Sequence, residues 1–468
     1  MKNFFLSALL FLLSATVVAQ VTFGNKQLIG DSTVGVSAIY TADLDQDGNE
    51  DVISGEENYI RWYKNHGNST FSSPITIVKR YYFSSSKYIG IADLDGDNDN
   101  DVIAASFDYN EISWFENDGS GNFMQEHIIQ DSAIHARAIC VEDLNADNYP
   151  DIITGSDSLL SVFLNNGNGN FSMQQSIRPA TLKISAIDIM DVNVDGHPDI
   201  VAALYDGNKI VIYENDGNAN FGNPIIVADN ITSPNHLVIS DINSNGQKDI
   251  LASSWYDSTI VWYESGSTPA LFTEHIISNS AIEIHQVRAT DLDNDGDQDV
   301  LTASYLTREI FWYENDGNGN FGPAIIIDDS IMFPTCINSA DLDGDGDQDI
   351  LLGVSAFNTF DVAASVNIKN NKNIEHKIYW YENKTITGIS EREKDQFSVF
   401  PNPFKNEITV EGIASAFDYT IMDISGRVIL KGQARNGRII ELKNMKPGLY
   451  LITIKTAERI STQKILRM

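Results

Sequence analysis

The sequence predicts an all-β chain: a seven-bladed β-propeller followed by a small β-sandwich. Three observations predict it. An acidic nonapeptide recurs seven times at a nearly fixed interval, four short runs of β-branched and aromatic residues accompany each copy, and the charge changes sign near residue 397. A period of this length marks a solenoid or a propeller. Four strands per repeat select the propeller.

The fullest nonapeptide is DLDGDGDQD, Asp341–Asp349, with carboxylates at its first, third, fifth, seventh and ninth positions. The other copies begin at Asp43, Asp93, Asp143, Asp191, Asp241 and Asp291, and successive copies are 50, 50, 48, 50, 50 and 50 residues apart. Alternate residues turned toward one point suit Ca²⁺, which takes six to eight oxygens at about 2.3–2.6 Å. The sixth position is Gly48, Gly196, Gly246, Gly296 or Gly346, with Asn98 and Asn148 in the remaining two copies. These residue types tolerate the left-handed backbone of a sharp turn. An EF-hand would carry Glu at position twelve, but Ser54 and Leu352 stand there in the first and last copies. The loop closes instead on its ninth-position Asp.

The expected metal ligands follow from this spacing. They are Asp43, Asp45, Asp47, Asn49 and Asp51 in the first loop, and Asp93, Asp95, Asp97, Asp99 and Asp101 in the second. The third offers Asp143, Asn145, Asp147, Tyr149 and Asp151, and the fourth Asp191, Asn193, Asp195, His197 and Asp199. The sixth offers Asp291, Asp293, Asp295, Asp297 and Asp299, and the seventh Asp341, Asp343, Asp345, Asp347 and Asp349. Positions one, three, five and nine are expected to act through side chains, and position seven through its carbonyl. The fifth loop keeps only Asp241 and Asp249, with Asn243 and Asn245 between them. It is expected to be the weakest site or empty. The competing reading is an acidic turn without an ion, but carboxylates this close repel one another when no cation is present.

In chain order, residues 1–19 read as a secretory signal peptide cut before Gln20, with one Lys, an apolar run Phe4–Leu13 and small residues at the exit. A membrane anchor needs about 20 apolar residues, so no integral membrane segment is expected in the mature protein. A net charge of −34 and a pI near 4.4 exclude nucleic acid, whose phosphates demand Lys and Arg. From Phe397 to Met468 there are 11 basic and 6 acidic residues, a net of +5 that leaves −39 on the rest. That shift marks a domain boundary. With 42% hydrophobic and 10% aromatic residues, the chain builds cores rather than staying disordered. Cys140 and Cys336 fall in equivalent strands of the third and seventh repeats, far apart on a ring, and read as small core residues rather than a disulfide.

Within a repeat, one strand enters the loop (Val36–Ala42, Val287–Thr290) and a second leaves it (Asp299–Ser304). A third is IFWYEN at Ile310–Asn315, and a fourth lies in Asp316–Ile327 after a Gly/Asn turn. The seventh repeat stops at Asn383 without a fourth strand, and Val21–Gly30 matches the missing one. Supplying it from the N-terminus would close the ring and remove two open edges. The aromatic pairs of the third strands, such as Trp62-Tyr63 and Trp312-Tyr313, point to opposite sides. They are expected to pack against both neighbouring blades.

Four residues before each loop stand Ile39, Ile89, Ile139, Ile187, Leu237, Val287 and Ile337, expected in the inter-blade core. Two residues earlier stand Ser37, Lys87, Arg137, Ser185, Asn235, His285 and Thr335, all polar. This ring is a candidate ligand rim, with Lys87, Arg137, Asn235 and His285 as its chief residues. The seventh repeat also carries an insertion, Ser355–Lys377. Residues 384–396 read as a linker, and 397–468 as a β-sandwich built on FSVFPNPFKNEITVEG, a YTIMDISGRVILKG hairpin with a Ser425-Gly426 turn, PGLYLITIKT and ISTQKILRM.

The DxDxDG loops, together with Asn220-Phe221-Gly222 and Asn320-Phe321-Gly322, resemble FG-GAP (also called VCBS) repeats over residues 21–383. That family builds the calcium-bearing propellers of integrin α-chains and many bacterial surface proteins. The resemblance implies Ca²⁺ between the first two strands of the blades, with the fifth loop departing from the pattern. The C-terminal VFPNPFKNEITVEG, SGRVILKG and PGLYLITIKT segments are similar to the type A sorting domain of the type IX secretion system of Bacteroidetes. This implies type IX export through 397–468, with the cargo released or attached to the cell surface.

The expected function is a calcium-stabilised, non-catalytic binding propeller that recognises a glycan or an extracellular protein. The alternative is a polysaccharide lyase or glycosidase built on such a propeller, and a third reading is a passive surface protein. The chain has no nucleophile elbow, no Ser/His/Asp order and no His/Glu metal constellation, and its eight His are scattered. Lys, Arg, His and aromatic residues converging on one face would favour binding. Two carboxylates about 5–9.5 Å apart in a cleft would favour glycosidase chemistry.

Overall fold

Each acidic loop joins two antiparallel strands, and two further strands extend each pair outward. The computed structural model describes residues 21–31, 35–79, 88–107, 109–178, 183–266, 271–355 and 376–384 of a first unit. In a second unit it describes 398–400, 404–411, 417–423, 427–435, 437–442, 445–446, 448–455 and 460–467. The two units divide between Thr385 and Ile386. The signal-peptide segment, Lys87, the Ser425-Gly426 turn, 356–375 of the insertion and 385–396 of the linker lie outside the described residues.

The first unit holds seven four-stranded antiparallel sheets. Blade one runs outward through Ala38–Ala42, Asp51–Gly55, Tyr59–Tyr63 and Ile75–Lys79. The innermost strands of the next five blades are Ile89–Ala92, Ala138–Glu142, Ile184–Met190, Pro234–Ser240 and Ile284–Thr290. Blade seven runs through Pro334–Ala340, Asp349–Ser355, His376–Tyr381 and finally Gln27–Gly30. Successive innermost strands touch in order, and the seventh touches the first. The ring is closed.

The N-terminus seals it as the hydrophobic pattern requires. Gln27 pairs with Trp380 and Leu28 with Tyr379. The bridge Phe23–Asn383 reproduces the bridges Asn65–Phe71, Asn215–Phe221 and Asn315–Phe321. Gly24 N donates to Glu382 O at 2.7 Å, as Gly322 N does to Glu314 O at 2.8 Å. The paired part is shorter than Val21–Gly30, because Phe23-Gly24 plays the part of the Phe-Gly turn in the other blades. The sixth blade shows the same shortening: its fourth strand is Ile325–Asp328, since Gly317 and Gly319 adopt φ of +73° and +77°. Strand geometry cannot continue through such residues.

The core lies between blades. Ile39, Ile89, Ile139, Ile187, Leu237, Val287 and Ile337 are all buried. Trp62 packs with Ile89, Val102 and Phe115 of blade two, while Tyr63 packs with Leu351, Ile378 and Trp380 of blade seven. Each aromatic pair therefore serves both neighbours. Cys140 and Cys336 are free thiols, the first half-buried and the second buried. Among the described residues, no helix is long and apolar enough to cross a membrane.

The second unit is a sandwich of a three-stranded and a four-stranded sheet. The smaller contains Ser398–Phe400, Glu407–Glu411 and Ile439–Glu441. The larger is ordered Val428–Ala434, Phe417–Asp423, Gly448–Lys455 and Ile460–Arg467. Val399, Ile408, Val410 and Ile440 of one sheet share a core with Phe417, Ile421, Ile452 and Ile454 of the other.

Candidate metal centres and the opposite face

All seven acidic loops have one backbone geometry, whatever their carboxylate count. The first-position Asp accepts from the N–H groups of positions five and six. In the seventh loop these bonds are Asp345 N to Asp341 Oδ1 at 3.2 Å and Gly346 N to Oδ2 at 3.0 Å. In the fifth they are Asn245 N to Asp241 Oδ1 at 3.0 Å and Gly246 N to Oδ2 at 2.9 Å. The ninth-position Asp is fully buried and accepts from position two, as Asp349 Oδ2 does from Leu342 N at 3.0 Å. Its other oxygen accepts from the end of the third strand, as Asp349 Oδ1 does from Asn383 N at 2.7 Å. Two of the expected ligands are thus also the fastenings of the loop. This explains why the fifth loop, stripped of its other acids, keeps Asp241 and Asp249.

Position six has positive φ in every copy, from +67° at Asn148 to +99° at Gly296. Position four has it as well, which the sequence did not announce: Gln46, Ala146, Ser244, Asn294 and even Val194, at +58°, share the left-handed backbone.

The Asn that ends the third strand is a hub the sequence pattern displayed without revealing its role. Asn117 N donates to Asp101 Oδ1, and its side chain donates to Asn100 O and, across the blade boundary, to Leu44 O at 2.8 Å. Its Oδ1 accepts from Gly121 N. Asn65, Asn165, Asn215, Asn315 and Asn383 repeat the inter-blade link. Blade five carries Ser265 there and binds only its own Asp249.

What remains for a cation is a cluster built on positions one and three, completed by position nine or, in the sixth loop, by position five. Carboxylate oxygens of Asp43, Asp45 and Asp51 lie within 4.8 Å of one another, as do those of Asp93, Asp95 and Asp101 and those of Asp341, Asp343 and Asp349. In the sixth loop the grouped residues are Asp291, Asp293 and Asp295. Opposite ligands of one Ca²⁺ stand about 5 Å apart, so these sets have the right size. Asp45 Oδ1, Asp99 Oδ1, Asp297 Oδ1 and Asp343 Oδ1 are buried with no hydrogen-bond partner. Buried acceptors are almost always satisfied; a hard cation would satisfy those of Asp99, Asp297 and Asp343, while beside Asp45 the Lys64 ammonium already supplies a positive charge. The donor set fits such an ion.

Electrostatics agree. Burial, then neighbouring carboxylates, push Asp99 and Asp297 up to about 7. Burial, opposed by backbone N–H donors, holds Asp51, Asp101 and Asp349 at about 7 and Asp299 at about 8. A bound cation reverses this cost. Position seven behaves differently from the expectation of a carbonyl ligand alone. The Asp99 and Asp297 carboxylates are buried against the turn glycines Gly119 and Gly317, as Tyr149 and His197 lie against Gly167 and Gly217. The third and fourth loops place Asn145 and Asn193 where the full loops place Asp, and each amide oxygen accepts an N–H at 3.0 Å.

The opposite face, where second strands end and first strands begin, carries an arc of aromatic and basic side chains across blades two to seven. Phe107 stacks on His135 at 4.3 Å, and Arg137 lies over the same ring at 4.3 Å while its Nε donates to Asp157 at 3.0 Å. Lys183 lies 3.9 Å over Tyr205, which hydrogen-bonds with Tyr256. Trp255, His285, Tyr305 and Phe333 follow in edge-on or tilted contacts, and Arg308 covers Phe333 at 4.8 Å. A recurring aromatic after the second strand (Phe107, Tyr205, Trp255, Tyr305) was the sequence signal for this arc.

The rim residues divide between two roles. Arg137 and His285 belong to the arc. Ser185, Asn235 and Thr335 sit at β-bulges and donate to the backbone of the next blade, at Pro234 O, His285 O and Val36 O. Ser37 donates to Gly55 O of its own blade.

Six stretches, residues 43–104, 93–154, 143–202, 191–252, 241–302 and 291–352, match the family described as FG-GAP-like repeat. Residues 398–467 match a secretion system C-terminal sorting domain. No curated protein matches the chain. Among solved structures, BBS1N in complex with ARL6DN is similar at 10% identity, covering 79% of this chain and 98% of that one, with a TM-score of 0.52. An Agrocybe aegerita lectin that recognises non-reducing terminal N-acetylglucosamine is similar at 18% identity, covering 64% and 82%, with a TM-score of 0.49. The first likeness is one of fold.

Proposed function

We propose that this chain, which belongs to the FG-GAP-like repeat family, is a non-catalytic binding protein for an extracellular glycan, with a propeller stabilised by Ca²⁺. Its C-terminal sorting domain directs it through the type IX system to the cell surface or the extracellular space. The observation that carries the binding reading is the arc from Phe107 to Phe333, which gathers rings and cations from six consecutive blades. Aromatic faces take the C–H faces of a sugar, and Arg, Lys and His take its hydroxyl or carboxylate oxygens. Calcium on the other face holds the blades in register and leaves this one free for a ligand.

The test is retention of the mature chain on a panel of polysaccharides in millimolar Ca²⁺. Selective retention, lost at least tenfold in Arg137→Ala and Tyr256→Ala, is the expected result. Release of new reducing ends or unsaturated sugars would replace binding by cleavage. A folded protein that binds none of the panel would replace the glycan by a protein ligand.

A further inference from the structure

We infer that the first acidic loop takes no metal, because the ammonium group of Lys64 binds Asp45 and Asp47 and so puts a positive charge on a member of the Asp43, Asp45 and Asp51 cluster. The inference rests on the reading of the other full loops as calcium sites. By carboxylate count the first loop is a full one, with Asp43, Asp45, Asp47 and Asp51 in place. Its blade differs, however, at the residue just after the third strand, Lys64. Where this blade reads Trp62-Tyr63-Lys64-Asn65, others read Trp114-Phe115-Glu116-Asn117 and Trp380-Tyr381-Glu382-Asn383.

That position faces the loop. Lys64 Nζ bonds Asp45 Oδ2 and lies 2.8 Å from Asp47 Oδ2, so it takes the third- and fifth-position carboxylates together. Its backbone is fixed by Lys64 N donating to Ser72 Oγ at 3.0 Å. Asp45 Oδ1 stays buried beside the ammonium. A divalent ion drawn to that oxygen would share a carboxylate with a fixed positive charge, and like charges at this separation repel strongly.

The contrast with other blades supports the assignment. In blades two and seven the same position is Glu, and Glu116 and Glu382 add negative charge to the surroundings of Asp95 and Asp343. Each is oriented from outside: His127 Nε2 meets Glu116 Oε2 at 2.9 Å, and Lys384 Nζ meets Glu382 Oε2 at 2.9 Å. In blade five Glu264 Oε1 accepts from Asn243 Nδ2 at 2.9 Å, a neutral solution for a loop with few acids. In blades one, two, five and seven this residue thus completes the charge balance of the loop beneath it, whereas blade three carries the neutral Leu164 there. Lysine supplies the cation; glutamate enlarges the demand for one.

The test counts calcium ions bound by the full mature chain, by equilibrium dialysis with elemental analysis. The wild type is compared with Asp45→Asn, Asp343→Asn and Lys64→Glu. The fifth loop already tolerates Asn at position three with unchanged geometry, so both Asn variants are expected to fold. Asp343→Asn should lose one ion, Asp45→Asn should lose none, and Lys64→Glu should gain one. Loss of one ion in Asp45→Asn would overturn the inference even if Lys64→Glu failed to fold. A wild type that bound no calcium would instead sink the calcium reading itself, and this inference with it.

Discussion

The side-chain amide of Asn65 lies 2.7 Å from the carbonyl oxygen of Leu342, 277 residues further along the chain. That single bond ties the first blade to the acidic loop of the last. Its equivalents tie each of five other blades to the loop before it, and the chain of links is broken only at Ser265. The loops therefore do two jobs: they present carboxylates, and they offer the carbonyls through which neighbouring blades are fastened.

Removing one link should be costly. Asn117→Ala strands the Leu44 and Asn100 carbonyls and the Gly121 N–H. At about 1–3 kcal/mol for each buried group left unpaired, a loss of about 2–4 kcal/mol is expected after partial rescue by water. Ser265→Asn should add about 1 kcal/mol by installing the missing link. Denaturant midpoints of the isolated variants measure both. A lower midpoint for Ser265→Asn would mean that blade five is built to do without the link.

Val194 is the strained residue of the fourth loop. It is β-branched, 80% exposed, and holds φ at +58°. Such a backbone costs a non-glycine residue about 1–2 kcal/mol, of which glycine returns part to chain entropy. Val194→Gly should therefore stabilise the propeller by about 0.5–1 kcal/mol. Calorimetry on the two proteins decides it, and an unchanged or lower Tm would show that Val194 makes a compensating contact.

Calcium removal should separate the two jobs of the loops. Chelator is expected to lower the Tm at low salt, each occupied site contributing about 0.4–1.4 kcal/mol at millimolar Ca²⁺. Asp343→Asn should erase one such share and little else. Asp241→Asn, which weakens the bonds to Asn245 N and Gly246 N in a loop with few carboxylates, should destabilise equally with and without calcium. Equal sensitivity of both variants to chelator would contradict this division.

A pH effect should come from Asp188, on the innermost strand of blade four. Burial pushes its carboxyl up to about 6, against the backbone donors Ile189 N and Ile239 N and the attraction of Arg288. Because the folded value lies above the unfolded one of about 3.9, its contribution is complete below pH 4 and fades as pH rises through 6. Relative to Asp188→Asn, the wild type should lose about 2–3 kcal/mol between pH 4 and pH 8. Urea unfolding at the two pH values reads the difference, and a pH-independent gap would refute it.

Much of this molecule is legible in one dimension. The seven loops, their left-handed sixth position, the strand that crosses from Gln27–Gly30 to blade seven and the inter-blade aliphatics all follow from a repeat near 50 residues and from local backbone preferences. The left-handed fourth position was hidden, because residues as unlike as Val194 and Gly344 occupy it. The rim was half legible. Polarity marked its residues, but β-bulges turned Ser185, Asn235 and Thr335 into inter-blade fastenings.

Spacing along the chain accounts for the periodic framework: blade number, closure, the acidic loops and the address carried by residues 398–467. These depend on neighbours in the chain, and spacing records neighbours. The fold alone sets which acids fasten backbone and which keep unpartnered oxygens, that Lys64 enters its own loop, and that Phe107 and Phe333 end one arc. Those outcomes depend on which side chains from different strands and blades come within a few ångströms. Ring closure sets such distances, and spacing along the chain does not carry them.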